Sequence, residues 1–316
     1  MAHFLIAGAA GFIGSHLCNY YLNKGHKITG VDDYTSSSPN SNHIKNLLLH
    51  PNFNLIVKDI RNIKPEDYYK YNFDYILNFA CPASPPNYQN IPIKTLTTSV
   101  IGTQNLLEIA NYNRAKFLQA STSEIYGNPT VTPQPESYRG YVNSYGPRSC
   151  YDEGKRAAES LCYDYRFKLG LDVRVIRIFN TYGPHMQYND GRVITNFIYQ
   201  ALNNKPLTIY GNGDQTRSFC YIDDLINGIN CVLMNTNNYG PVNLGNPDEF
   251  TVYELGTLVH KLLNKDSYKF NYKPIPVDDP LQRKPDITLA KEKLDWKPLI
   301  NLRSGLLKTI KYFSNN

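Results

Sequence analysis

The run Gly8-Ala9-Ala10-Gly11-Phe12-Ile13-Gly14 constrains this chain more than any other stretch. It follows a short apolar segment, His3 to Ala7, that reads as a strand. It precedes Ser15 to Lys24, which reads as a helix ended by Gly25. Strand, glycine-rich turn and helix in that order make a phosphate cradle. Gly8 permits the tight turn, Gly11 lets backbone approach a pyrophosphate, and Gly14 lets helix and sheet pack closely. Uncompensated N–H groups at the helix start would face the anion, with Phe12 and Ile13 as further candidate contacts in the same turn.

The strand-helix rhythm repeats. Lys27 to Val31, Asn54 to Val57, Tyr75 to Phe79, Phe117 to Ala120 and Val173 to Ile178 read as strands, with helical stretches at Thr98 to Asn111 and Tyr151 to Leu169. Such alternation favours a parallel sheet covered on both faces, an α/β doubly wound fold of Rossmann type. Ligands of such sheets lie beyond the carboxyl ends of the strands. From about residue 180 the rhythm loosens, with turns at Tyr182-Gly183-Pro184, Gly211-Asn212-Gly213 and Tyr239-Gly240-Pro241. A helix between Thr251 and Leu263 precedes a proline-rich connection from Lys273 to Pro285. Residues 1–180 are thus expected to be mainly the cofactor domain. Residues 181–316 are expected to form mainly a smaller substrate lobe, with segments around 219–250 returning to the first domain.

Asp32 follows the second strand, where a carboxylate can receive both hydroxyls of an adenosine ribose and would repel a 2'-phosphate. NAD is therefore expected over NADP. Asp33 is an adjacent alternative. Asp59 and Ile60 could supply an adenine-edge contact, and Asp59 reads equally well as a surface acid. The formal net charge of +6 comes from dispersed Lys and Arg rather than a dense run, which argues against nucleic acid as a partner. Six cysteines include no CxxC pair and no metal-ligand spacing, so they read as thiols of a reducing compartment, with no metal expected. No apolar run is long enough to cross a bilayer, and the first strand runs straight into the glycine motif, leaving no signal peptide. A cytoplasmic enzyme with no membrane partner is the expectation.

With 26 tyrosines, no single one is informative by itself. Tyr151 and Lys155, however, stand at i and i+4 on a helix and share a face. A nearby ammonium stabilises a phenolate and gives Tyr151 a route to act as a base. Thr122, Ser123 and Glu124 follow a strand whose carboxyl end should face the cofactor. Thr122 and Ser123 can donate to a sugar oxygen, and Glu124 adds a carboxylate where a proton is moved.

At this point the chain resembles the extended short-chain dehydrogenase/reductases and, within them, the UDP-glucuronic acid decarboxylases, or UDP-xylose synthases. Beyond the glycine motif, the resemblance is carried by Ala80-Cys81-Pro82-Ala83-Ser84-Pro85, by Thr122-Ser123-Glu124 and by Gly146 to Arg156. It continues through Arg177 to Pro184, Asp190 to Val193, Gln215 to Tyr221, Asn243 to Pro247 and Arg283 to Ile287, nearly the full chain. The resemblance implies Tyr151 as redox base, Thr122 as its hydroxyl partner and Lys155 as the residue that orients NAD. It places Ser123 and Glu124 near the changing carbons, Arg283 and Tyr88 near the sugar carboxylate, and Ala80 beside the cofactor. Pro82, Ser84, Asn180, Arg192, Tyr210 and Arg217 would contact substrate, the arginines being suited to diphosphate oxygens.

The implied reaction turns UDP-glucuronic acid into UDP-xylose and carbon dioxide. A transient C4 ketone accepts the electrons of the breaking bond, and NAD is regenerated. The proton donor at C5, Arg283 directly or a water, stays open. The resemblance also implies a homodimer. Related 4-epimerases, 4,6-dehydratases and a non-enzymatic NAD-binding protein are the rival readings. The chain departs from the family's pattern at Ser99, where asparagine is usual, at Arg139, where tryptophan is common, and at Ser144-Tyr145, which replaces Pro-Ile.

Overall fold

The computed structural model describes residues 1–264, 269–278 and 282–315. Six strands of the first half, β1 (His3–Ala7), β2 (Lys27–Asp32), β3 (Phe53–Val57), β4 (Tyr75–Asn78), β5 (Lys116–Thr122) and β6 (Val173–Ile178), lie in one parallel sheet. The order runs β6-β5-β4-β1-β2-β3, and a seventh strand, Pro241–Leu244, adds parallel to the outside of β6. Alternate side chains take opposite faces, as the two-residue period of a strand requires. Phe4 and Ile6 join Leu77, Leu118 and Ile176 in one core, while Leu5 and Ala7 join Ile76, Phe117 and Val175 in the other. Burial on both faces is what makes these strands near-continuous apolar runs.

Strand order reverses between β1 and β4, so their carboxyl ends leave a crevice. Helix α1 (Phe12–Leu22) begins three residues earlier than its apolar pattern indicates, because Gly11 caps it and Phe12-Ile13-Gly14 form its first turn. The helix expected at Thr98 to Asn111 is two elements. A π-helical turn over Thr98–Gly102 runs into an α-helix over Thr103–Asn113. The wider turn leaves Ser99 Oγ 3.3 Å from Cys81 Sγ and packs Ser99 against Gly154.

The later residues contribute to both parts of the molecule. Helix Ile222–Met234 packs against α1 and β6, beside the Pro241–Leu244 strand. Strand Thr216–Ser218 pairs antiparallel with Glu249–Thr251 and parallel with Gln282–Arg283, which makes Arg217 and Arg283 register partners. Leu207–Tyr210 pairs with Phe270–Lys273. The proline-rich connection thus contains strand residues at both ends, Lys273 and Gln282–Arg283; its residues 279–281 lie outside the described residues.

Candidate active site

The glycine turn is closed by backbone contact. Gly8 adopts φ +78°, and a Cβ there would lie 2.7 Å from the Phe79 carbonyl carbon. A Cβ on Gly14 would lie 1.9 Å from the Gly8 oxygen. Gly8, Gly11, Phe12, Ile13 and Gly14 line a cleft of about 650 Å³ together with Asp32, Asp33, Asp59, Ile60, Ala80, Pro82, Ser84 and Arg192. Open space over bare backbone N–H groups at a helix start fits a pyrophosphate.

Asp32 sits at the end of β2 and is nearly buried. Its carboxylate accepts from Ala10 N (2.9 Å), Tyr34 N (2.8 Å) and Ser37 Oγ (3.1 Å). Burial raises its proton affinity, and these donors only partly offset that. Asp33 is engaged elsewhere, 2.6 Å from Lys94 Nζ, and Lys94 also lies 3.6 Å from Asp59. Asp59 caps the turn Ile60–Asn62 and pairs with Arg61 at 2.7 Å. Burial pushes its carboxyl up, but the Arg61 hydrogen bonds and charge outweigh that and hold it low. Of the two adjacent acids, Asp32 is the one bonded to the glycine turn. Ala80 is held by its N–H to Asn78 Oδ1 at 3.2 Å. Lys94 on this rim was not foreseen, since nothing local in the sequence distinguishes it.

Beyond the residues that line this cleft, β5 runs on to Thr122, whose hydroxyl caps the short turn Ser123–Tyr126 and reaches the Tyr151 phenol. Tyr151 and Lys155 share a face of helix Ser149–Leu169, with Lys155 Nζ 5.8 Å from the Tyr151 ring centre and donating to Ala120 O at 2.9 Å. Burial is the largest influence on both groups. It raises the phenol's proton affinity and lowers that of the ammonium. The pair alone is therefore not set for ionisation, contrary to what adjacency of Tyr and Lys suggests.

Glu124 is gripped by two guanidinium groups, Arg148 and Arg283. Burial pushes its carboxyl up, but the charges of Arg283 and Arg148 prevail and hold it at about 2. Arg283 is 2% exposed; it also donates to Ser123 Oγ (3.2 Å) and Gly127 O (3.1 Å). Tyr88 stacks on Tyr151 with ring centres 5.1 Å apart and planes at 4°, and the Arg148 guanidinium lies 5.9 Å from the Tyr88 ring centre. Four buried polar atoms here have no hydrogen-bond partner among the described residues: Ser84 Oγ, Tyr88 Oη, Asp152 Oδ1 and Arg283 Nε. Buried polar atoms are rarely left unsatisfied, and a cluster of them fits a polar ligand. Arg148 was quoted in the sequence only as part of a motif; its partner Glu124 lies 24 positions away, beyond the reach of local pattern.

The structure brings Thr122, Ser123, Glu124, Tyr151, Lys155, Tyr88 and Arg283 together. Arg192 pairs with Asp190 at 2.5 and 2.9 Å and lies close enough to feel the Tyr151 charge. Arg217 is joined to the cluster as the strand neighbour of Arg283, its guanidinium donating to Thr216 O at 2.9 Å. Asn180 follows β6 and accepts from Cys220 N at 2.9 Å through its carbonyl. Tyr210 ends its strand and is partly exposed. Of the departing residues, Arg139 and Tyr145 are exposed, whereas Ser99 is buried in the π turn.

Residues 5–309 match the family described as GDP-mannose 4,6 dehydratase. The chain is 49% identical over 310 residues to UDP-glucuronic acid decarboxylase 1 of Danio rerio, covering 98% of this chain and 72% of that protein. It is 48% identical over 303 residues to UDP-glucuronic acid decarboxylase 5 of Arabidopsis thaliana, covering 96% and 86%. Among solved structures, UDP-glucuronic acid 4-epimerase from Bacillus cereus in complex with UDP-glucuronic acid and NAD superposes with a TM-score of 0.90 at 28% identity, over 99% of both chains. A dTDP-glucose 4,6-dehydratase from Bacillus anthracis in complex with NAD gives 0.87 at 27%, over 100% and 97%. The fold is thus shared by epimerases and dehydratases, while the near-full-length identity above 45% is to decarboxylases. The chain belongs to the GDP-mannose 4,6 dehydratase family and, within it, to the UDP-glucuronic acid decarboxylases.

Proposed function

We propose that this protein is an NAD-dependent enzyme that decarboxylates UDP-glucuronic acid to UDP-xylose and carbon dioxide. The observation that carries the reading is the Arg148–Glu124–Arg283 cluster, both of whose arginines are buried and which stands beside the Tyr151–Thr122 hydroxyl pair. A carboxylate receiver next to a redox hydroxyl suits a sugar acid oxidised at the carbon adjacent to the one that bears its carboxyl group. Direct loss of carbon dioxide would strand an electron pair on C5, whereas a C4 ketone accepts it as an enolate.

Gly8, Gly11, Phe12, Ile13 and Gly14 would hold the cofactor's pyrophosphate, and Asp32 its adenosine ribose, with Asp59, Ile60 and Ala80 along the same cleft. NAD supplies the acceptor for the C4 hydride, which is returned after carbon dioxide has left. Tyr151 takes the C4 hydroxyl proton, and Thr122 donates to the developing C4 oxyanion, an interaction stronger in the transition state than before it. Lys155, anchored on Ala120 O, sets the ribose and adds positive charge near the phenol. Ser123, Tyr88 and Arg283 position the carboxyl-bearing carbon; Arg283 helps only if its contact strengthens as charge leaves the carboxylate. Pro82, Ser84, Asn180, Arg192, Tyr210 and Arg217 are assigned to the sugar nucleotide, the arginines to its diphosphate.

Residues 1–180 carry mainly the cofactor functions and residues 181–316 mainly the substrate functions, with segments around 219–250 serving the first part. A homodimer through helices Thr103–Asn113 and Ser149–Leu169 is supported by the exposed rings of Tyr112, Tyr163 and Phe167 on them. The compartment we propose is the cytoplasm; among the described residues no helix is long and apolar enough to cross a membrane.

Purified protein incubated with UDP-glucuronic acid and NAD should release carbon dioxide and yield UDP-xylose, identified by mass and sugar stereochemistry. Deuterium at C4 should pass to the cofactor and back. An epimerised hexuronic acid with no loss of carbon would move the assignment to a 4-epimerase. Cofactor binding without any chemistry would make the protein a non-enzymatic NAD binder.

A further inference from the structure

Decarboxylation of a carboxylate consumes one proton, because the carbon that loses carbon dioxide must gain hydrogen. The Arg148–Glu124–Arg283 cluster is not a source of that proton, since Glu124 is held ionised between two guanidinium groups. The next carboxyl along is Asp152. It follows Tyr151 in the first turn of helix Ser149–Leu169, is 6% exposed, and places Oδ2 3.8 Å from Arg148 Nε. Arg148 therefore lies between Glu124 and Asp152. Oδ1 of Asp152 is buried with no partner among the described residues, an expensive arrangement for a full negative charge.

Resting on the function argued above, we propose that Asp152 is the proton store of the site. It takes up a proton from solvent when the substrate carboxylate enters the two-arginine cluster, and it returns that proton to solvent when carbon dioxide leaves. Glu124 and Asp152 share Arg148, so charge added at the arginine pair is felt at the Asp152 carboxyl. The entering carboxylate adds one negative charge, and protonation of Asp152 offsets it. When the bond from C5 to the carboxylate breaks, its electron pair moves into the C4–C5 enolate and the negative charge leaves the cluster for the C4 oxygen. C5 gains its proton from Arg283 or a water, while Asp152 returns to its ionised form, so one proton is consumed per turnover and the cluster ends as it began. Asp152 acts through Arg148 and is a positioning residue, not a catalytic one.

The surroundings support such a store. Burial, and then the charge of Glu124, push the Asp152 carboxyl up to about 7 in spite of Arg148 and Arg283, with Glu153 adding in the same direction. Tyr88, from helix Pro85–Asn90, and the Cys150 thiol are further titratable groups beside it. A carboxyl half-protonated near neutral pH can change state for a modest change in nearby charge.

Calorimetric titration of UDP-glucuronic acid into the NAD-loaded Tyr151→Phe protein, in buffers of different ionisation enthalpy, counts the protons taken up without turnover. Expected uptake is roughly 0.7 proton per site at pH 7.5, falling toward zero by pH 5.5 where Asp152 is already protonated. UDP-xylose, which lacks the carboxylate, should give none. Adding Asp152→Asn should abolish the uptake, and Asp152→Glu should restore part of it. With Tyr151 intact, kcat/KM should fall above pH 7 as Asp152 of the free enzyme ionises, and Asp152→Asn should flatten that fall. The binding heat in the same titration shows that each variant is folded; no uptake by a Tyr151→Phe protein that binds UDP-glucuronic acid, or equal uptake with and without Asp152→Asn, would overturn the proposal. Continued carbon dioxide release by Tyr151→Phe would instead count against the function itself.

Discussion

Replacing Glu124 with glutamine keeps the side chain's size and removes its charge from between two buried guanidinium groups. Arg283 is 2% exposed and the Arg148 side chain 8%, so neither can turn to water for compensation. A carboxyl that titrates at about 2 in the folded protein, against an ordinary 4.5, is stabilised as the anion by about 3 kcal/mol. The same order follows from breaking a buried ion pair by removing one partner, about 3–5 kcal/mol. In a protein of this size that corresponds to a drop in Tm of roughly 6 °C. The stabilisation is fully present above the unfolded carboxyl's 4.5 and is lost as pH falls toward 2, because only there does the folded protein release its grip on the anion. Thermal unfolding of the wild type and E124Q, both saturated with NAD, should show the full gap at pH 7.5 and a narrowing gap below about pH 4.5. A Tm within 1 °C of wild type at pH 7.5, or a gap that ignores acid, would refute the view that Glu124 is the anionic centre of the cluster.

Gly14→Ala places its new methyl 1.9 Å from the Gly8 oxygen, a backbone atom that cannot rotate aside, so α1 must shift off β1. NAD affinity, measured by titration, should fall by about a hundredfold or more; near-native affinity would mean that the close helix–sheet contact is not needed. The imidazoles of His16, His185 and His43 stack with ring centres 4.2 and 4.3 Å apart, and burial together with its two neighbours holds His185 down to about 3. Stability from His185 is complete above its ordinary 6.5 and is lost as pH falls toward 3. Unfolding scans should show the wild type losing ground to His185→Phe between pH 6.5 and pH 5, and a difference independent of pH would refute it.

The first-half strands were legible because each is an apolar run buried on both faces and bounded by glycine or polar turns, which periodicity detects directly. Tyr151 with Lys155 was legible for a similar reason, since i and i+4 is a local relation. Thr122, at the end of β5, follows from knowing that ligands meet strand carboxyl ends. The strands Thr216–Ser218 and Gln282–Arg283 were not legible, being too short to show alternation. Arg283 was assigned by family resemblance alone, and only the fold shows it reaching Ser123 from 160 positions away. Arg148, Lys94 and Asp152 gained their surroundings from side chains far away in sequence or from burial that no window of residues displays. The π turn was hidden because it runs without a break into the helix that follows it.

The Pro241–Leu244 strand has a bearing on how the molecule is made. It covers the outer edge of β6, with Val242 and Leu244 fully enclosed. During translation, β6 leaves the ribosome well before this partner does, and meanwhile Val173–Ile178 presents an unpaired, apolar rim of the kind that recruits foreign chains. A gene cut near residue 180 would freeze that exposed stage and give an adhesive product. Grafting residues 1–180 onto another protein would therefore require bringing the 241–244 segment along, because the sheet those residues build is sealed by a strand encoded after them.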